Sequence, residues 1–159
     1  MGLGAATPAL PVQNIGAAVQ HYADKFGFEC PHQDDGFAIV NRDEAYLHLW
    51  GASDDGWRLR PEKELRDWPV TTGAETFIAG TASCRIYVTD IDTLYAELAL
   101  KGVLHPIDDG SPTDTDWGPR EFAALDIEGN LLTFFQRHRR LATQRPRNPQ
   151  ASETRAVGQ

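Results

Sequence analysis

The stretch Ala45–Gly51, AYLHLWG, places Tyr46, His48 and Trp50 on one side of an extended chain and Leu47 and Leu49 on the other. Strict alternation of this kind reads as a strand with one apolar face. The second face carries a phenol, an imidazole and an indole. Such a set could hold a metal through His48, hold a ligand through its rings, or meet only water. Few other residues invite chemistry. Cys84 lies on a strand opposite in parity to Ser83 and Arg85, and reads as a packed thiol rather than a nucleophile. Asp34 and Asp35 sit in a turn, where a solvated role and a ligand-binding role are both open. Trp117 interrupts the polar run TDTDWGPRE, where a core role explains it less well than a functional one. There is no nucleophile elbow and no Walker loop, and the early GLG follows no strand.

The elements that must position these residues occur twice. VQNIGAAVQHYA from Val12 resembles VTDIDTLYAELA from Val88, and FAIVNRDEAYLHLW from Phe37 resembles FAALDIEGNLLTFF from Phe122, at offsets of 76 and 85. Each half begins with a short strand ending near Val12 or Val88. A helix capped by Asn14 or Asp90 follows, with Ile15, Ala18, Val19 and Tyr22, or Ile91, Leu94, Tyr95 and Leu98, as its apolar stripe. Gly27 and Gly102 end the helices. Three strands follow in each half: Phe28–His32, Phe37–Asn41 and Ala45–Trp50, then Leu104–Ile107, Arg120–Asp126 and Leu131–Gln136. The last two are joined by a tight turn, DIEGN.

The expected fold is therefore α+β, with two βαβββ modules at 6–51 and 81–137. A connector at 52–80 contains Trp57, Trp68 and a short helix in RPEKELRDW, and a basic tail at 138–159 reads as disordered past about Leu141. Each module is an open sheet with a helix on one face. Joined edge to edge, within a chain or between chains, two such sheets would curl into a cleft.

Charge narrows the partners. The net charge is −8, but the stretch from Arg137 onward carries six Arg and one Glu, so the body carries about −13. An acidic body argues against nucleic acid and favours a cationic ligand, unless its role is solubility alone. No apolar run suits a membrane span, and no secretory leader is evident at the start. Cys30 and Cys84 form no close-spaced pair, which fits reduced thiols in a cytoplasmic protein.

The segments ALPVQNIGAAVQHYADKFGF, DDGFAIVNRDEAYLHLW, TASCRIYVTDIDTLYAEL and WGPREFAALDIEGNLLTFFQ cover most of the chain from Thr7 to Gln136. Together they resemble the vicinal oxygen chelate superfamily, which includes glyoxalase I, extradiol dioxygenases, fosfomycin resistance enzymes and bleomycin resistance proteins. The bleomycin resistance branch is the nearest resemblance. Pro119, between Gly118 and Arg120, departs from its usual run, and the insert after Trp50 is longer than in compact members.

The resemblance places the metal-ligand positions of the enzymes at Thr7, His48, Ser83 and Thr133, and the repeat offsets link Thr7 to Ser83 and His48 to Thr133. One imidazole among three hydroxyls is a poor ligand set, even if His48 recruited His105 or Glu121. No resident metal or cofactor and no catalytic residue is expected. If His48 faces the cleft, so do Tyr46 and Trp50, and by the same parity Arg85 and Tyr87 on the matching strand. The resemblance further implies a domain-swapped homodimer with two grooves. Phe37 and Trp117 would stack on a planar drug, and Asp34, Asp35 and Glu121 would meet its cationic tail. The expected ligand is a bleomycin-type planar cation, free or as its metal complex, sequestered without modification. A metal-dependent lyase or dioxygenase, and a small-molecule sensor of the same fold, remain the alternatives.

Overall fold

A computed structural model describes residues 2–52, 61–67 and 78–137. The expectations for Trp57, Trp68 and the tail at 138–159 lie outside the described residues. Strand β1 (Ala9–Val12), helix α1 (Ile15–Phe26) and strands β2 (Glu29–Gln33), β3 (Phe37–Arg42) and β4 (Ala45–Gly51) form the first unit. A short helix, α2 (Glu62–Asp67), precedes the second. That unit comprises β5 (Ser83–Tyr87), α3 (Ile91–Lys101), β6 (Thr113–Asp114), β7 (Pro119–Leu125) and β8 (Leu131–Arg137). The two sheets share one topology, with strand orders β1-β4-β3-β2 and β5-β8-β7-β6. In each, the first strand runs parallel to the last, and the last three strands are antiparallel.

The helices start and stop for the same local reasons in both units. The Asn14 side chain accepts from the Ala17 N–H at 2.8 Å, and Asp90 accepts from the Thr93 N–H at 3.2 Å, satisfying donors that the first turn leaves free. Gly27 and Gly102 take φ of 69° and 68°, a left-handed backbone that a Cβ disfavours. The buried face of α1 is Ile15, Ala18, Tyr22 and Phe26, so the expected stripe extends one turn further than the sequence suggests. On α3, Ile91 and Leu98 are buried, with Leu94 and Tyr95 packed at the edge of the core.

One expected element changes place. Leu104–Ile107 does not form a strand: Leu104 makes a single bridge to Ala124, and the chain turns at once, Asp108 N–H donating to the His105 carbonyl at 2.9 Å. Pro106 has no N–H to offer a ladder. The fourth strand of the second sheet is instead Thr113–Asp114, paired with Glu121 and Arg120.

A second difference is one of register. With β4 matched to β8 at an offset of 85, Trp50 corresponds to Phe135, whose partner on β7 is Glu121 rather than Phe122. Between the corresponding pairs Asn41–Tyr46 and Leu125–Leu131, the second connection (126–130) is one residue longer than the first (42–45). Glu121 is thus the counterpart of Phe37, and Phe122 falls on the buried face, as Ala38 does. A slip of one residue moves every side chain to the opposite face.

The helix-covered faces of both sheets merge into a single apolar core, containing Leu10, Leu47, Leu49, Tyr22 and Phe26 from the first unit and Leu98, Phe122, Leu132 and Phe134 from the second. The rings of Phe26 and Phe134 stack across the junction at 6.4 Å. Asp126 and Asn130 are the buried polar residues of this core. The Asn130 amide donates to the Pro11 carbonyl at 2.9 Å and to Asp126 Oδ2 at 2.8 Å, and its oxygen accepts from Ala82 N–H at 3.2 Å. Tyr22 donates its hydroxyl to Asp126 Oδ2 at 3.1 Å. Asp126 Oδ1 takes the N–H groups of Glu128 and Asn130. Removing the amide would take these partners from the Pro11 carbonyl and the Ala82 N–H, and leave Asp126 Oδ2 with Tyr22 alone. Asn130→Ala should therefore lower the free energy of unfolding by about 2–4 kcal/mol. Urea denaturation with an unchanged slope and a lower midpoint would register that loss.

Candidate functional site

The far face of each sheet, away from the shared core, carries the residues singled out from the sequence. On the first sheet, β4 buries Leu47 and Leu49 and presents Tyr46, His48 and Trp50 on its other side. The ladder sets Phe37 beside Trp50, and Ile39 between His48 and His32. The result is an aromatic cluster. Phe37 meets His48 edge-on at 5.0 Å, Trp50 at 4.5 Å and His32 at 5.7 Å between ring centres. His32, absent from the sequence expectation, belongs to this face through its pairing with Ile39; the irregular register between Glu29 and His32 breaks the simple alternation of β2 that could have revealed it. Trp50 Nε1 is buried and has no hydrogen-bond partner among the described residues. A buried indole N–H without an acceptor is uncommon. Tyr46 stands at the rim, 53% exposed.

The turn before Phe37 is built by Asp34. Its Oδ1 accepts from the N–H groups of Gly36 and Phe37, both at 2.8 Å, and its Oδ2 lies 3.5 Å from His32 Nε2. The Gly36 bond above all, with those from Phe37 and His32, holds its carboxyl below the usual range. Asp34 is thus engaged in orienting the hairpin that carries Phe37, while Asp35 beside it is exposed.

On the second sheet, Cys84 is buried while Ser83, Arg85 and Tyr87 face outward. Thr133 and Phe135 of β8, and Glu121 of β7, lie on that same outer face. Arg85 donates to Glu121 Oε2 at 2.5 Å, and its guanidinium carbon sits 4.9 Å from the centre of the Phe135 ring. Tyr87 meets Phe135 edge-on at 5.8 Å. Trp117 projects from the β6–β7 turn, 69% exposed. That turn is fixed by Thr115, whose N–H and hydroxyl both reach the Pro119 carbonyl. The Pro119 carbonyl is thus the acceptor that closes the Trp117 loop.

The structure thus collects Phe37, His48, Trp50 and Tyr46 on one sheet, and Arg85, Tyr87 and Glu121 on the other. No ladder among the described residues joins the two sheets. Because their covered faces share one core, the two open faces do not close on each other within a chain.

A family model for the glyoxalase/bleomycin resistance protein/dioxygenase superfamily matches residues 4–134. The chain belongs to this superfamily. It is 50% identical over 129 residues to bleomycin resistance proteins of Geobacillus stearothermophilus and Staphylococcus aureus, covering 81% of this chain and 93% of each relative. A solved bleomycin-binding protein complexed with bleomycin superposes with a TM-score of 0.59 at 21% identity, over 84% of this chain and 98% of that one. The bleomycin-binding protein from Streptomyces verticillus, solved with copper(II)-bleomycin, gives 0.57 at 28% identity, over 84% and 96%.

The four positions that the family resemblance implies for a metal, Thr7, His48, Ser83 and Thr133, carry one imidazole and three hydroxyls. That set does not fit a divalent ion. The imagined recruits are committed elsewhere: Glu121 to Arg85, and His105 Nδ1 to the Ile107 N–H at 3.3 Å. Among the described residues no group of three His, Cys, Asp or Glu side chains comes together to hold a metal. His48 instead packs against the edge of Phe37.

Cys84 is likewise spoken for. Burial above all, then the nearby Asp126 carboxylate, push its thiol from the ordinary 9.0 up to about 12. The thiolate is the reactive form, so Cys84 is inert near neutrality. A thiol reagent at pH 8 should label Cys30 in the native protein and both cysteines only after denaturation; rapid native labelling of Cys84 would contradict its placement. As pH rises through 9.0 the unfolded chain loses this proton first. The Cys84 contribution to stability is therefore full below 9.0 and lost as pH rises towards about 12.

Proposed function

We propose that this protein confers resistance by sequestering a bleomycin-type glycopeptide, stoichiometrically and without modifying it. One observation carries the reading: an aromatic cluster of Phe37, His48, Trp50 and His32 stands uncovered on a sheet face, in a chain half identical to bleomycin resistance proteins. Flat rings with polar tips suit a large planar ligand better than they suit bond-making chemistry. The orphan Trp50 N–H offers a donor at the base of that face. The acidic body raises the local concentration of a cationic drug.

The modules at 6–51 and 81–137 supply the two walls of each groove. Since the two open faces of one chain do not meet, the groove forms between chains, the first-module face of one protomer opposing the second-module face of its partner in a homodimer. Phe37 on one side and Trp117 on the other then stack on the ligand's planar group, with Tyr46, Tyr87 and Trp50 around it. Asp35 and Glu121 face its cationic end. Any metal in the complex arrives with the drug, as in the copper(II)-bleomycin form solved with the Streptomyces verticillus protein. Two free thiols, Cys30 and Cys84, suit the reducing cytoplasm.

Titration of the purified protein with bleomycin, followed by tryptophan fluorescence and heat, tests this directly. Saturation at one drug per groove is expected, with the drug recovered at unchanged mass. Lack of binding below about 10 µM would sink the reading. Trp117→Ala should weaken binding about tenfold or more, a loss of about 1.4 kcal/mol. Sedimentation should give a dimer with and without drug. Stoichiometric zinc, nickel or iron retained after dialysis and lost in His48→Ala would instead favour a metal-dependent enzyme.

A further inference from the structure

The outer face of the second sheet holds an arrangement that already resembles an occupied receptor for a planar cation. β8 lies between β5 and β7. Neighbouring strands are about 4.8 Å apart, so Arg85 on β5 must cross about 10 Å to reach Glu121 on β7. It does so over the ring of Phe135: the guanidinium carbon is 4.9 Å from the ring centre, and its Nη2 is 2.5 Å from Glu121 Oε2. An aromatic face beside a carboxylate is the combination that binds flat cations, by the ring quadrupole and by charge-assisted hydrogen bonds. Glu121 is the more enclosed partner, its side chain 18% exposed against 48% for Arg85. All three side chains stand on strands of one sheet, and Arg85, the longer and more exposed partner, is the one better placed to swing aside.

We propose that Arg85 is a built-in competitor: its guanidinium occupies the planar-cation subsite formed by Phe135 and Glu121, and a cationic ligand binds there by displacing it. This deepens the sequestration reading and rests on it for the identity of the drug. Displacement is inexpensive, because Arg85 is itself half exposed and the incoming cation keeps the more enclosed Glu121 paired. It also makes the subsite selective. A neutral ring cannot replace the charge that Glu121 loses, so only a ligand bringing its own cation takes the place of Arg85. Cation-for-cation exchange leaves the charge on Glu121 balanced before and after, which flattens the salt dependence of binding.

Arg85→Gln removes the competitor while keeping most of the side-chain length. It should bind bleomycin about threefold more tightly than the wild type at low salt, with a steeper loss of affinity as salt rises. Glu121→Gln should weaken binding, and the double variant Arg85→Gln/Glu121→Gln should lose the gain. Weaker or unchanged binding by Arg85→Gln would overturn the proposal, making Arg85 a direct contact or a bystander. A second probe separates this from failure of the drug reading. Benzamidine, a flat amidinium, should bind Arg85→Gln more tightly than the wild type in a calorimetric titration, even if bleomycin binds neither. No benzamidine gain would overturn the competitor role whatever bleomycin does. Circular dichroism of each variant confirms that the comparison is between folded proteins.

Discussion

Everything in this molecule depends on how two half-structures, each too thin to bury its own helix, are held against one another. The clasp is the buried pair Asp126 and Asn130. Asn130 reaches Pro11 at the end of β1 and Ala82 before β5, while Asp126 receives the hydroxyl of Tyr22 from α1. A carboxylate in an apolar core is costly unless its oxygens are satisfied, and here four donors share the two oxygens. Two of the clasp's bonds, Tyr22 to Asp126 and Asn130 to Pro11, cross between the halves, and a different docking would lose them. Burial, with Asp126 second, pushes the Tyr22 hydroxyl well above its ordinary value, so it remains a donor across the whole physiological range. Gly80 completes the junction. A Cβ there would run into the Glu128 backbone, so the chain entering β5 passes the β7–β8 turn at a distance only glycine permits.

Around the clasp, polar groups seal the same seam from outside. Arg42 at the end of β3 makes a two-pronged contact with Glu97 of α3, both bonds at 2.8 Å, and also donates to the Phe26 carbonyl at 2.7 Å. Lys25 of α1 reaches the Lys101 carbonyl at the end of α3. The Arg42 bond is the main reason that the Glu97 carboxyl is held below its ordinary range. Forked arginine–carboxylate geometry fixes orientation more than it adds stability, and here it ties β3 and the end of α1 to α3. The consequence for function is geometric. With both covered faces locked inward, both aromatic faces are turned outward.

Much of this was legible in the sequence because it is local. The caps at Asn14 and Asp90, the glycine stops, the strand parity of AYLHLWG and SCRIY, and the doubling of the unit follow from short-range rules of spacing and side-chain geometry. What was not legible is set by distant partners or by single-residue counts. An aligned pair of phenylalanines, Phe37 and Phe122, suggested equivalent roles. One extra residue in the turn Asp126–Asn130 puts them on opposite faces, and makes Glu121 the true counterpart of Phe37. The strand expected at Leu104–Ile107 failed because Pro106 and the His105 turn divert the chain, and the short β6 that replaces it carries no strong pattern of its own. DIEGN read as a tight turn, which it is. That its two ends also form the polar heart of the core depends on Tyr22 and Pro11, more than a hundred residues away.

The same register shift explains why the two open faces differ chemically although they descend from one pattern. Where the first sheet sets Phe37 beside Trp50, the second sets Glu121 beside Phe135. One face is therefore a continuous ring surface, and the other a ring bordered by a carboxylate. A single-residue difference in a turn far from either face is enough to set a phenylalanine beside the tryptophan on one sheet and a carboxylate beside the phenylalanine on the other. His48 fits this division. The metal positions implied by the family resemblance are divided between the two units. Here one unit keeps an imidazole and the other offers Ser83 and Thr133. The imidazole packs against Phe37 as one polar edge on an otherwise aromatic face.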